Sequence, residues 1–92
     1  MLQGESMKFR KLSVIIDAVK FTGRNRYAIE KFMKVDSIGY SVWEGGLVKL
    51  HISTLEGVHE VSPGDWVIRG VKGEYYACKP DIFKLTYEKV KV

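Results

Sequence analysis

The stretch Val61-Ser62-Pro63-Gly64-Asp65-Trp66-Val67-Ile68-Arg69-Gly70-Val71-Lys72-Gly73-Glu74-Tyr75-Tyr76-Ala77-Cys78 decides how this chain folds. Pro63-Gly64 predicts a type II turn, because Pro presets φ at the second turn position and Gly accepts the positive φ of the third. Asp65 beside it is a short acidic side chain of the kind that caps turn amides. Trp66–Val71 and Glu74–Cys78 are rich in β-branched and aromatic residues and read as two strands joined at Lys72-Gly73. A two-residue turn there pairs Val71 with Glu74, Gly70 with Tyr75, Arg69 with Tyr76, Ile68 with Ala77 and Val67 with Cys78. One face then carries Ile68, Ala77 and Tyr75, with Gly70 making room for the Tyr75 ring. The other carries Val67, Arg69, Val71, Tyr76 and Cys78. Both faces are largely apolar, which predicts a hairpin at the centre of the fold. Pro80 ends the second strand, Asp81-Ile82-Phe83 gives a turn or a single helical turn, and Leu85–Val92 supplies a last strand.

Upstream, Leu50 and Ile52 alternate with Lys49, His51 and Ser53, the period of a half-buried strand. A turn at Glu56-Gly57 pairs Leu55 with Val58, Thr54 with His59, Ser53 with Glu60 and Ile52 with Val61. Leu50, Ile52 and Val61 then face the core, Lys49, His51, Ser53 and Glu60 face water, and His59 falls on the buried side. Val14–Phe21 reads as the first strand, ended by Thr22-Gly23. Thr22 or Asn25 then caps a helix from Arg24 to Lys34, whose Ile29, Phe32 and Met33 form one apolar stripe. Asp36–Gly46 is a glycine-rich loop in which Tyr40, Val42 and Trp43 form a short strand or a lid. The last strand, paired with the first, would curl the sheet. The expected fold is α+β and mostly β: a small curved antiparallel sheet or partial barrel of about five to six strands, with one short helix packed on it.

Ninety-two residues hold one core of two packed layers, which excludes a two-domain enzyme. No apolar run approaches the roughly 20 residues that span a bilayer. Leu2 is followed by Gln3, Gly4, Glu5 and Ser6 rather than by a signal-peptide core, and a single cysteine suits a reducing compartment. The reading is an intracellular protein with no membrane partner. Residues 1–6 read as a disordered leader or cloning remnant before a second methionine, and residues 7–92 as a single β-rich domain. Charge is uneven: residues 1–34 carry eight Lys/Arg and three Asp/Glu, residues 35–92 seven and eight. The net +4 is therefore an N-terminal feature.

The chain from Met7 onward resembles a family of small uncharacterised proteins of tailed bacteriophages and prophages. The resemblance rests on Thr54-Leu55-Glu56-Gly57, on Val61 to Tyr76 as quoted, on Cys78-Lys79-Pro80-Asp81-Ile82-Phe83, and on Thr86-Tyr87. Lys8–Lys11 and Phe21-Thr22-Gly23 match the family's basic opening and first-strand ending. Members commonly have Pro just before the cysteine, where this chain has Ala77, so a fixed kink there is not expected. The resemblance implies a phage or prophage origin and an accessory role in the cytoplasm of the bacterial host. It brings no catalytic residues with it.

Conventional nucleophile–base chemistry would have to come from Cys78, His51 and His59, and nothing in the spacing brings them together. One Cys and two His at unrelated spacings do not resemble a zinc site, and Gly45-Gly46 lacks the spacing and the Lys-Ser/Thr of a phosphate loop. No enzyme activity, metal or cofactor is expected. Seven Trp and Tyr residues favour a protein-binding module, with Tyr40, Trp43, Trp66, Arg69, Tyr76 and Lys79 as candidate contacts. The expected partner is a host or phage protein, or a second copy pairing along an exposed sheet edge. The second reading is nucleic acid, gripped through phosphates by Lys8, Arg10, Lys11, Arg24, Arg26, Lys31 and Lys34 with aromatic stacking on bases.

Overall fold

The computed structural model describes residue 4 and residues 6–10, 12–35, 38–42 and 44–90. The described residues form two three-stranded antiparallel sheets and two short helices. In chain order they are β1 (Asp17–Lys20), α1 (Arg26–Met33), β2 (Gly39–Val42), β3 (Val48–Thr54), β4 (Gly57–Val61), β5 (Trp66–Arg69), β6 (Tyr75–Cys78) and α2 (Pro80–Thr86), with a single 3-10 turn at Glu44–Gly46 between β2 and β3. One sheet has the order β1-β5-β6 and the other β2-β3-β4. The α+β class is as expected; the single curved sheet or partial barrel is not, because the six strands divide between two sheets.

The core lies between the sheets under α1. Phe21, Ile29, Met33, Ile38, Leu50, Ile52, Val61 and Val67 are buried together, with Val19, Phe32, Val48, Tyr75 and Ala77 packed around them. The alternation of Leu50, Ile52 and Val61 therefore predicts the core correctly. Its register is nonetheless off by two residues: Thr54 pairs with Gly57, Ile52 with His59 and Leu50 with Val61. The turn is centred on Leu55-Glu56, where the Thr54 hydroxyl accepts from the Glu56 amide at 3.1 Å and donates to the Gly57 carbonyl at 2.9 Å. A two-residue slip leaves each side chain on its original face, so the core survives the error.

In the β5–β6 hairpin the slip is by one residue, and it does exchange faces. Val67 pairs with Ala77 and Arg69 with Tyr75 on the core side, while Trp66 pairs with Cys78 and Ile68 with Tyr76 on the other. The cause is loop length. A two-residue hairpin turn of either favoured type would need positive φ at Lys72, which a lysine resists. Instead Gly70 and Glu74 close the loop (Gly70 amide to Glu74 carbonyl, 2.8 Å), Gly73 donates to the Gly70 carbonyl at 3.0 Å, and Gly73 alone is left-handed at φ 81°. Gly70 makes room for Glu74 rather than for Tyr75, since a side chain there would collide with the Glu74 carboxylate. The expectation of two apolar faces holds at β5, where Val67 and Ile68 point opposite ways and both are fully buried.

The ends of the chain depart most from expectation. Strand β1 begins at Asp17 rather than Val14, because its partner β5 ends opposite it at Arg69 and the chain then turns away. Leu85–Val90 is not a strand. Pro80 occupies the first turn of α2, where its preset φ and missing amide are tolerated, and Asp81 follows at the favourable N-terminal end. Tyr87–Val90 has no regular structure, and the last two residues of the expected strand lie outside the described set. There is thus a second helix where a closing strand was expected. It covers the outer face of the β1-β5-β6 sheet: the Phe83 ring stacks on Trp66 at 4.2 Å and 6°, and the Tyr76 and Tyr87 hydroxyls meet at 3.1 Å.

Candidate functional site

The turn from β1 into α1 is built by Asn25. Its Oδ1 accepts from the Thr22 amide (2.8 Å) and hydroxyl (3.1 Å), and its Nδ2 donates to the Lys20 carbonyl at 2.8 Å. Asn25 stands at the helix N-cap, as expected, but its side chain reaches back into the strand instead of onto helix amides. The Val48 amide donates to the Gly23 carbonyl at 3.2 Å, which ties this turn to the start of β3. The first turn of α1 consequently sits beside the β2-β3-β4 sheet, with Ile29 and Met33 directed into the core.

On the solvent side, Arg26 lies 4.1 Å above the Tyr40 ring of β2 and 5.1 Å from the ring of its neighbour Tyr27. Its Nη2 donates to the Tyr27 hydroxyl at 3.3 Å, and its Nε faces Glu30 at 3.4 Å, one helical turn on. Contact with Tyr40, and next with Tyr27, raises the Arg26 pKa further. Arg24 adds a second guanidinium, whose Nη2 donates to the Gly45 carbonyl at 3.3 Å. No acidic residue lies in the first turn of α1, so both arginines stand at the positive end of the helix, where a cation is disfavoured. Tyr27 and Tyr40 are largely exposed. Strand β2 is exposed throughout and, among the described residues, pairs on one side only, with β3. Arg24, Arg26, Tyr27 and Tyr40 thus make an electropositive, aromatic surface along an open strand edge.

This surface unites members of both expected contact sets. Of the remaining protein-contact candidates, Trp43 lies outside the described residues, and the other four are engaged within the fold. Trp66 is under Phe83. Arg69 packs 4.7 Å over the Phe32 ring and bridges Asp17 at 3.0 Å; Asp17 is the main cause of its raised pKa. The Tyr76 hydroxyl, held by Tyr87, is pushed up to about 12, chiefly by burial. Lys79 bridges Asp65 at 2.9 Å. Among the phosphate-contact candidates, Lys8 and Arg10 are exposed ahead of β1, Lys11 lies outside the described residues, and Lys31 and Lys34 are exposed further along α1. Lys31 and Lys34 stand at the far end of α1 from Arg24 and Arg26. Tyr27 escaped the sequence reading. Its signal was its position off the Ile29-Phe32-Met33 stripe and directly beside Arg26.

A shallow depression of about 390 Å3 between β4 and β6 brings together His59, Glu60, Asp65, Cys78 and Lys79. Burial, and then Asp81 and Asp65, raise the Cys78 thiol pKa, the reverse of what an activated nucleophile needs. Its Sγ faces the Lys79 carbonyl at 3.5 Å. Among the described residues no group of three or more His, Cys, Asp or Glu side chains is placed to hold a metal ion, and no helix is long and apolar enough to cross a membrane. Comparison of the chain with protein-family models, curated proteins and solved structures finds no significant match.

Proposed function

We propose that this chain is a small non-enzymatic binding module, of phage or prophage origin, that engages a host or phage protein through the α1–β2 edge. The observation that carries the reading is Arg26 lying over Tyr40 on an unpaired strand edge. An open edge offers a ladder of backbone groups to an extended segment, and side-chain pockets beside the ladder set its specificity. Here the neighbouring charge is positive and the neighbouring rings are exposed, so the segment best suited is acidic with interspersed apolar residues. Origin in a phage or prophage, and action in the host cytoplasm, rest on the sequence resemblance alone.

A second reading, nucleic-acid binding, draws on the same pair of arginines beside exposed tyrosine rings, a combination that can hold phosphate and stack on a base. The open β2 edge beside these rings favours the protein partner, since it offers a backbone ladder to an extended segment. Fluorescence anisotropy with a labelled decapeptide of alternating Glu and Val, and with single- and double-stranded oligonucleotides at two salt concentrations, tests the choice. Peptide binding that weakens about tenfold in Arg26→Ala and in Tyr40→Ala is expected, about 1.4 kcal/mol each. Salt-dependent oligonucleotide binding without peptide binding would replace the first reading with the second.

A further inference from the structure

Residues 6–10 and 12–16 precede β1 as an arm without regular structure. The arm is apolar and uncovered: Met7, Phe9, Leu12, Val14 and Ile15 are 70, 86, 80, 51 and 76% exposed. No backbone hydrogen bond involves residues 6–10 or 12–15 among the described residues. The composition is nevertheless that of a strand, since Leu12, Val14 and Ile16 alternate toward Ala18, the β1 residue that pairs with buried Ile68. What stops β1 from extending back into the arm is the length of β5, which ends opposite Asp17. The outer edge of β1 is also open, because the sheet order is β1-β5-β6. The radius of gyration, 16.0 Å, exceeds the roughly 12 Å of a compact chain this long.

We propose that a second copy of this chain covers the arm, the two arms pairing antiparallel about a two-fold axis at Val14. Leu12 then lies opposite Ile16 of the other copy, Ser13 opposite Ile15, and Val14 opposite Val14. Beyond the axis, each arm runs along the open edge of the other copy's β1, which joins the two β1-β5-β6 sheets through a shared ribbon. The pairing is isologous, so it closes at two copies and uses up the β1 edge of each. Area supports a stable dimer. Ten extended residues of average mass expose roughly 1,600 Å2, and burying half of that matches the roughly 800 Å2 per partner of a standard interface. Lys8 comes opposite the other copy's Lys20 at the ribbon ends, a like-charge pair that limits the association and is relieved by salt. This surface is separate from the α1–β2 edge, and neither reading depends on the other.

Light scattering on the full chain at tens of micromolar is expected to report twice the 10.5 kDa of one chain. Val14→Asp, which buries opposed carboxylates at the axis, is expected to return it to one chain mass with an unchanged near-ultraviolet spectrum. Val14→Cys in a Cys78→Ser background provides a second measurement that does not rest on a disrupted variant. Mild oxidation is expected to cross-link it at least tenfold faster than Leu55→Cys, a more exposed control on a turn far from the arm in sequence. A monomeric full chain, a Val14→Asp variant that folds and stays dimeric, or equal cross-linking of the two cysteine variants overturns the proposal.

Discussion

Asp65 is 3% exposed, and its carboxylate accepts two hydrogen bonds. Its Oδ2 accepts from the Ser62 amide at 2.9 Å and from the Lys79 Nζ at 2.9 Å, while its own amide closes the Ser62–Asp65 turn at 2.9 Å. Gly64 holds φ 98° inside that turn, which confirms the type II reading of Pro63-Gly64. The two ends of the ion pair differ in weight, because Lys79 is mostly in water and Asp65 is not. Asp65→Ala is expected to cost about 1–3 kcal/mol, since it strands the Ser62 amide. Lys79→Ala is expected to cost less than about 1 kcal/mol, as a largely solvated partner. Urea denaturation of both variants checks the order, and equal losses would refute it. The capping role of Asp65 was legible in the sequence from its place after Pro-Gly. Its bridge to Lys79 was not, because 14 residues separate the partners and only the fold brings them together.

At the scale of elements, α2 carries the clearest lesson. Phe83 and Tyr87 are four residues apart, the spacing of one helix face, and Pro80-Asp81 is a helix start. Thr86, Tyr87, Val90 and Val92 nevertheless have β preference, which makes propensity a weak guide in so short a segment. The contacts with Trp66 and Tyr76 settle it, the stacked pair contributing about 0.5–1.5 kcal/mol beyond its buried area. This docking also predicts a pH dependence. The folded chain holds the Tyr76 proton up to about 12, whereas the unfolded chain releases it in the ordinary tyrosine range near 10. The unfolded state then binds fewer protons, so this contribution is intact below pH 10 and is lost as pH rises through about 12. Tyr76→Phe is expected to cost about 0.5–1.5 kcal/mol at pH 8 through the missing hydroxyl bond, and to flatten the decline between pH 9.5 and 11.5. Urea midpoints across that range test it; parallel declines in the two proteins would refute the assignment.

Across the whole molecule, one core serves both sheets. Leu50 and Ile52 of β3, Val61 of β4 and Val67 of β5 are buried together beneath Ile29 and Met33 of α1. Opening either sheet would expose this shared cluster, so the two are expected to unfold as a unit. Leu50→Ala, at a fully buried site, is expected to cost about 2–5 kcal/mol and to shift the far-ultraviolet and tryptophan transitions together. Transitions that separate in this variant would show two independent units. The two proposed partner surfaces also belong to this scale, because both are strand edges left open when the strands divide into two short sheets.

By itself the sequence determined the α+β class, the turn at Pro63-Gly64, the helix stripe of Ile29, Phe32 and Met33, and the inward alternation of Leu50, Ile52 and Val61. These are local features, set by backbone dihedrals and by periods of 2 and 3.6 residues. Tertiary structure alone decided the registers of both hairpins, the division into two sheets, the helix in place of a closing strand, and the meeting of Arg26 with Tyr40. Each of these depends on where distant segments end relative to one another. A loop of three residues instead of two exchanges the faces of β6, and a β5 that stops at Arg69 leaves Leu12–Ile15 without a strand partner among the described residues. Periodicity says which side chains share a face, but the length of a neighbouring strand decides which backbone groups find a partner.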